Sequence, residues 1–157
     1  MWLGVISNTD GYVSPEVMKA LHGVDYIIHC GGIGAWEVIE ELSKVARVTG
    51  VVGPNDDPAV IPFERVLTKQ FGGATLYTVH KLGDPLDLPQ AVKREIQKVD
   101  PRIVLFGGSA WFISRLDGRL YFSPGSAGKK RPKGGRSVGM VEIDGQSVRG
   151  EVIPLKD

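Results

Sequence analysis

The sequence predicts an α/β domain in which short buried strands alternate with helices and deliver polar, glycine-rich loops to one edge. Three observations carry this expectation. Trp2 to Ser7 is an apolar run without helical spacing, as in a strand covered on both faces of a parallel sheet, and it stops abruptly at Asn8-Thr9-Asp10-Gly11. Asp25 to Cys30 and Ala46 to Val52 repeat the pattern, running out into Gly31-Gly32-Ile33-Gly34 and Gly53-Pro54-Asn55-Asp56-Asp57. Helical patterns fill the intervals, and strand-helix-strand order favours parallel pairing with right-handed crossovers. Open sheets of this kind keep their sites beyond the carboxyl ends of the strands.

Each element has a local cause. Ser14-Pro15-Glu16 supplies an N-cap, a proline for the first helical position and an early acid, and Gly23 is a stop, so a helix is expected from Pro15 to about His22. Ala35 to Lys44 places Trp36, Ile39 and Leu42 on one helical face. Pro62 to Lys69 and Ala74 to His80 flank Gly72-Gly73, which predicts an antiparallel pair with a glycine turn. Asp87 is expected to cap a helix from Leu88 to Val99, with Leu88, Val92, Ile96 and Val99 on one face. Arg102 to Phe106 reads as another buried strand, and it stops at Gly107-Gly108-Ser109-Ala110. The remainder is all strands: Phe112 to Leu116, Leu120 to Phe122 after an Asp117-Gly118 turn, and a hairpin around Asp144-Gly145. Gly128 to Arg136, with Lys129, Lys130, Arg131, Lys133 and Arg136 among glycines and a proline, reads as a mobile basic loop.

Composition narrows the function. At 157 residues, 42% of them hydrophobic, the chain is long enough for one domain with a proper core. A formal charge of +1 gives no overall field for nucleic acid or a membrane surface, and no apolar run approaches the roughly 18 residues of a spanning helix. The single cysteine, Cys30, excludes an internal disulfide, and no basic segment precedes a signal-like stretch at the amino terminus, so a cytoplasmic protein is expected.

The order of the strand ends carries a resemblance. Asn8-Thr9-Asp10, Gly31-Gly32, Gly53-Pro54-Asn55-Asp56, His80-Lys81, Gly107-Gly108-Ser109-Ala110 and Ser123-Pro124-Gly125-Ser126 stand where the calcineurin-like metallophosphoesterases carry Asp-x-His, Gly-Asp, Gly-Asn-x-Asp, His-Gly, Gly-His-x-His and Asn-Pro-Gly-Ser. The chain resembles the small single-domain members, the short phosphodiesterases and the retromer subunit that shares their fold. That resemblance implies a two-sheet αβ sandwich in four layers, with parallel strands at Trp2 to Ser7, Asp25 to Cys30, Ala46 to Val52 and Arg102 to Phe106. A second sheet is expected to contain the carboxy-terminal hairpin.

The resemblance also implies a site, and here the residues depart from it. Two divalent ions about 4 Å apart need a carboxylate between them to offset their repulsion. The bridging position is Gly32, and the late histidines are Gly108 and Ala110, so three ligand positions are vacated. Asn8 keeps an oxygen without the charge, Asp10 replaces a histidine, and the third-strand asparagine falls on Pro54 or Asn55 according to spacing. Asn8, Asp10, Asn55, Asp56 and His80 are the residual metal positions. No cofactor and no catalytic residue are expected, which makes the chain a pseudoenzyme that acts as an interaction or anion-binding scaffold. The alternative is a phosphoesterase remodelled around one manganese, zinc or magnesium ion held by Asp10, Asn55, Asp56 and His80. Against that alternative, Asp10 and Asp56 also suit the ordinary role of capping loops.

Other features weigh less. Gly32-Ile33-Gly34 lacks the third glycine of a dinucleotide turn, which falls on Glu37. Amides at the start of the Ala35 helix, with Ser109, Gly125, Ser126, Lys129 and Arg131, are candidates for a phosphate or sulfate. Cys30 reads as a small buried hydrophobe rather than a nucleophile, and His29 as a satisfied core histidine. Trp111 and Phe112 follow the glycine loop and could cover the site against a protein partner. The expected partner is therefore a protein or a small phosphate-containing ligand, with a homo-oligomer left open.

Overall fold

The computed structural model describes residues 1–129 and 135–156. Its organising strand is β1 (Trp2–Ile6), which sends Leu3 and Val5 to one face and Ile6 to the other, all fully buried. β1 is followed by α1 (Pro15–Ala20), β2 (Tyr26–His29), α2 (Trp36–Leu42) and β3 (Arg47–Gly50). β1, β2 and β3 are parallel neighbours, as the sequence predicts. α1 begins where Ser14 accepts the Val17 amide at 3.2 Å with Pro15 next in the chain, and it ends at Ala20, before His22.

A second sheet forms from β4 (Val66–Phe71), β5 (Ala74–Val79), β6 (Ile103–Phe106), β7 (Phe112–Leu116) and β8 (Arg119–Ser123), in the order β4-β5-β6-β8-β7. The turn between β4 and β5 is Gly72-Gly73, both with positive φ, the geometry a two-residue hairpin needs. β4 starts four residues later than expected from Pro62. Residues 62–65 leave the ladder, and Glu64 bridges instead to Val51. The third helix, α3 (Gln90–Val99), also starts late, because a residue before proline is barred from the helical region and Leu88 precedes Pro89. Asp87 does not cap it; the Asp87 amide closes a turn on the Asp84 carbonyl at 3.0 Å.

The carboxy-terminal hairpin corrects the expected topology. β9 (Ser137–Asp144) and β10 (Ser147–Pro154) join the first sheet, in the order β10-β9-β1-β2-β3, while β6 belongs to the second. β9 pairs antiparallel with the free edge of β1, from Trp2 opposite Glu142 to Val5 opposite Gly139. A strand buried on both faces needs a partner on each edge, and β2 supplies only one. The two sheets face each other across a core that includes Leu3, Val5 and Ile28 from the first and Leu76, Leu105 and Phe122 from the second. α1 and α2 cover the outside of the first sheet and α3 the outside of the second, which makes four layers. No helix among the described residues is long and apolar enough to cross a membrane.

Two buried polar groups stand out. Arg136, the last of the basic segment, is 7% exposed; its guanidinium donates to the Gly128 carbonyl at 2.9 Å and to Ser14 Oγ at 2.7 Å, tying the segment to the cap of α1. Lys130, Arg131 and Lys133 lie outside the described residues. Thr78, next to last in β5, is fully buried and its Oγ1 has no hydrogen-bond partner among the described residues. A buried hydroxyl without a partner loses hydration and gains nothing, so Thr78→Val is expected to leave unfolding free energy unchanged or raise it by about 1 kcal/mol. Chemical denaturation checks this, and a loss larger than that gain would contradict it.

Candidate functional site

The loops that leave β1, β2, β3, β5 and β6 meet at one edge, and their meeting is built from unusual backbone. Beyond β1 and β2 the two chains continue to pair: the amides of Asn8, Asp10 and Gly11 donate to the carbonyls of Gly31, Gly32 and Ile33 at 2.8 to 2.9 Å. Asn8 (φ 51) and Asp10 (φ 48) take the left-handed conformation that asparagine and aspartate tolerate better than most residues. Asn8 Oδ1 accepts the Ser7 hydroxyl at 2.8 Å and the Gly108 amide at 3.1 Å, so the position of a family metal ligand here clamps β1 to the loop after β6.

Gly32 cannot simply regain a side chain. Its φ is 71, and a β-carbon there would lie 2.8 Å from Asn8 Nδ2 and 3.0 Å from the Asn8 α-carbon. Backbone strain and steric overlap therefore both oppose a carboxylate at the bridging position.

Asp56 holds the glycine loops together from inside. One carboxylate oxygen accepts the amides of Gly32 (3.0 Å) and Gly53 (2.8 Å), and the other accepts Gly34 (2.9 Å). Burial by itself raises this carboxyl, but hydrogen bonds from Gly53, Gly34, Ile33 and Gly32 outweigh it and hold the group below the usual carboxylate range. The loop-capping role is thus the one Asp56 fills. It also takes the amides at Gly32 and Gly34 that an external phosphate would use. Asn55 and Asp10 are exposed at the rim.

His80 sits among glycines. Its Nδ1 lies 2.7 Å from the Cys30 carbonyl, which can only accept, so Nδ1 carries a proton and donates it there. β-carbons at Gly31, Gly53 and Gly108 would stand 2.5 to 3.1 Å from this ring. The imidazole therefore occupies space that side chains at those positions would need. Nε2 is one ligand, and among the described residues no three His, Cys, Asp or Glu side chains are grouped to hold a metal ion. The surviving residues do not fit a two-metal centre.

Beneath the site, His29 is fully buried and fully bonded. The Gly31 amide donates to Nδ1 at 3.1 Å, which leaves the proton on Nε2, 3.0 Å from Thr9 Oγ1. Thr9 passes the chain on to the Ile33 carbonyl at 3.0 Å. Burial, partly opposed by the Asp56 carboxylate and reinforced by His80, lowers the imidazole from 6.5 to about 3. Cys30 is buried beside it, and burial pushes its thiol up, away from nucleophilic reactivity.

A pocket of about 240 Å³ remains at the strand ends, lined by Asn8, Gly108, Ser109, Ala110 and Ser126. It brings together two anion candidates, Ser109 and Ser126, with two vacated ligand positions. The Ser109 hydroxyl lies 2.9 Å from the Ala110 carbonyl and 3.2 Å from Ser123 Oγ. Gly125 is buried, with Trp111 against it, and Lys129 reaches away to the Tyr12 ring, 5.2 Å from its centroid. Arg131 lies outside the described residues. The organising roles of Ser7, Thr9 and Arg136 are not visible in the sequence pattern, because each depends on contacts across loops far apart in the chain.

The whole architecture recurs in solved structures. Vps29 from Chaetomium thermophilum is 16% identical with a TM-score of 0.76, and the match covers all of both chains. Vps29 from Entamoeba histolytica, solved in complex with zinc, is 18% identical with a TM-score of 0.72 over 98% of each chain. An archaeal phosphodiesterase is 18% identical with a TM-score of 0.74, over 98% of this chain and 100% of its own. No curated protein sequence matches the chain. The sequence profile of the calcineurin-like phosphoesterase superfamily domain matches residues 1–146, nearly the whole length, and the chain belongs to that superfamily.

Proposed function

We propose that this chain is a non-hydrolytic member of the superfamily whose strand-end face serves as a binding scaffold, for a partner protein or a small phosphate-containing ligand. One observation carries the reading: two of the four oxygen ligands left at the strand ends, Asp56 and Asn8, are already spent on the fold. Asp56 accepts three backbone amides and Asn8 accepts two donors, so neither is free to take a metal without dismantling the loops. One large apolar side chain supports a contact surface beside the pocket: Trp111, 52% exposed, follows Ala110 on the loop after β6. A cytoplasmic setting belongs to the same proposal and rests on the lone buried thiol of Cys30.

The competing reading is a one-metal phosphoesterase, and the observations in its favour are that His80 bonds the Cys30 carbonyl through Nδ1 alone and that Asp10 is exposed at the rim. A phosphodiesterase and a zinc complex among the structural relatives give that reading its chemistry. Hydrolysis of bis-p-nitrophenyl phosphate and p-nitrophenyl phosphate, measured with manganese or zinc present, separates the two. The expected result is the same background rate for the native chain and for His80→Ala. Metal-dependent turnover that His80→Ala abolishes would establish the enzyme reading instead.

A further inference from the structure

The outer face of the second sheet is less completely covered than that of the first. β5, β6 and β8 are mutually parallel, an arrangement that normally has helices over both faces. Two helices cover the first sheet, but among the described residues only α3 lies over the second, where Ile96 packs with Tyr77, Val104, Phe106 and Tyr121. Between α3 and the β7–β8 hairpin a groove of about 660 Å³ is left, against 240 Å³ for the strand-end pocket, and the larger value lies in the range of small-molecule sites.

The lining of this groove is chemically divided. Its apolar part is Leu88, Ile96, Leu116 and Tyr121, with Leu86 exposed at one end. Its charged part is mostly cationic: Lys93, Arg115 and Arg119 face one acid, Asp117. Arg119 is tied to Asp100 at 2.7 Å and Arg115 donates to the Val148 carbonyl. Lys93 makes no ion pair among the described residues, which leaves one ammonium uncommitted beside an apolar floor.

We propose that this groove binds a small anionic amphiphile, a molecule with an unbranched or aryl apolar body and a single carboxylate. The body lies against Leu86 and Leu116, above the buried side chains of Leu88, Ile96 and Tyr121, and the carboxylate pairs with Lys93 at the rim. Charge complementarity selects an anion over a cation of the same length, and the apolar floor selects an amphiphile over a bare anion. The site is separate from the strand-end pocket, so its failure leaves the proposed scaffold role untouched.

Titration of isotope-labelled protein with decanoate below its micelle concentration tests this. The expected result is saturable shifts at Leu86, Leu88, Ile96 and Leu116, with affinity weakened about tenfold by Lys93→Glu and by replacing decanoate with decyltrimethylammonium. Lys93 is exposed and outside the core, so Lys93→Glu keeps its fold, which its thermal midpoint verifies. Absence of saturation, equal binding of the cationic amphiphile, equal binding by Lys93→Glu, or shifts mapping elsewhere would each overturn the proposal.

Discussion

Acidification from pH 6.5 to about pH 4 will lower the unfolding free energy of this protein by about 3 kcal/mol, chiefly through His29. The folded-state value of its imidazole is depressed from 6.5 to about 3. Throughout that window the unfolded chain binds a proton that the folded chain refuses, so stability is full above 6.5 and falls as pH drops. The refusal is geometric as well as dielectric: a proton on Nδ1 would face the Gly31 amide hydrogen. Asp56 adds to the loss lower down, since its depressed carboxyl contributes stability above the unfolded value that disappears as the group protonates. Urea denaturation at a series of pH values reads the slope. His29→Gln, which cannot titrate, should remove most of the slope above pH 4, whatever its own baseline stability. A native chain equally stable at pH 6.5 and pH 4 would contradict the assignment.

Gly32→Asp, the substitution that nominally restores the bridging carboxylate, will destabilise the protein by about 2 kcal/mol or more and will not confer stoichiometric metal binding. The cost arises from a positive φ and from a β-carbon set 3.0 Å from the Asn8 α-carbon. Metal binding still fails because Asp56 and Asn8 remain engaged and Gly108 and Ala110 still bring no imidazole. Thermal denaturation with and without manganese reads both effects at once. A variant as stable as the native chain, or one strongly stabilised by manganese, would show that the loops can reopen to a working centre.

The fold was legible wherever local pattern and long-range pairing agree. β1, β2 and β6 are apolar runs that end at glycine-rich loops, and both their existence and their common edge follow from that pattern. The placement of the hairpin β9–β10 was not legible, because it depends on β1 needing a second edge partner more than a hundred residues away. The start of α3 was legible in principle: Pro89 forbids a helical Leu88, and that rule outweighs an aspartate at 87 that only looks like a cap. At the site, the absence of ligating side chains at Gly32, Gly108 and Ala110 is plain in the sequence itself. The contacts that the remaining polar residues make are not. Asp56 as the internal partner of three amides, and Asn8 as a clamp on Gly108, depend on loops with positive φ at Asn8, Asp10, Gly31, Gly32 and Gly34, and no composition or periodicity encodes them. The lysines and glycines around Arg136 suggest a mobile basic loop, whereas its burial comes from the Gly128 and Ala127 carbonyls at the start of the same segment and the Ser14 hydroxyl from far along the chain.

The proposal that Asp56 and Asn8 hold the strand-end loops together instead of binding metal is tested most directly by metal stoichiometry. Protein stripped with a chelator, equilibrated with excess manganese or zinc and then freed of unbound ion should carry no stoichiometric metal at the strand ends, and its Gly32, Gly34 and Gly53 amide resonances should not move. Recovery of two ions per chain, with those three amides shifted and their hydrogen bonds to Asp56 broken, would contradict the account.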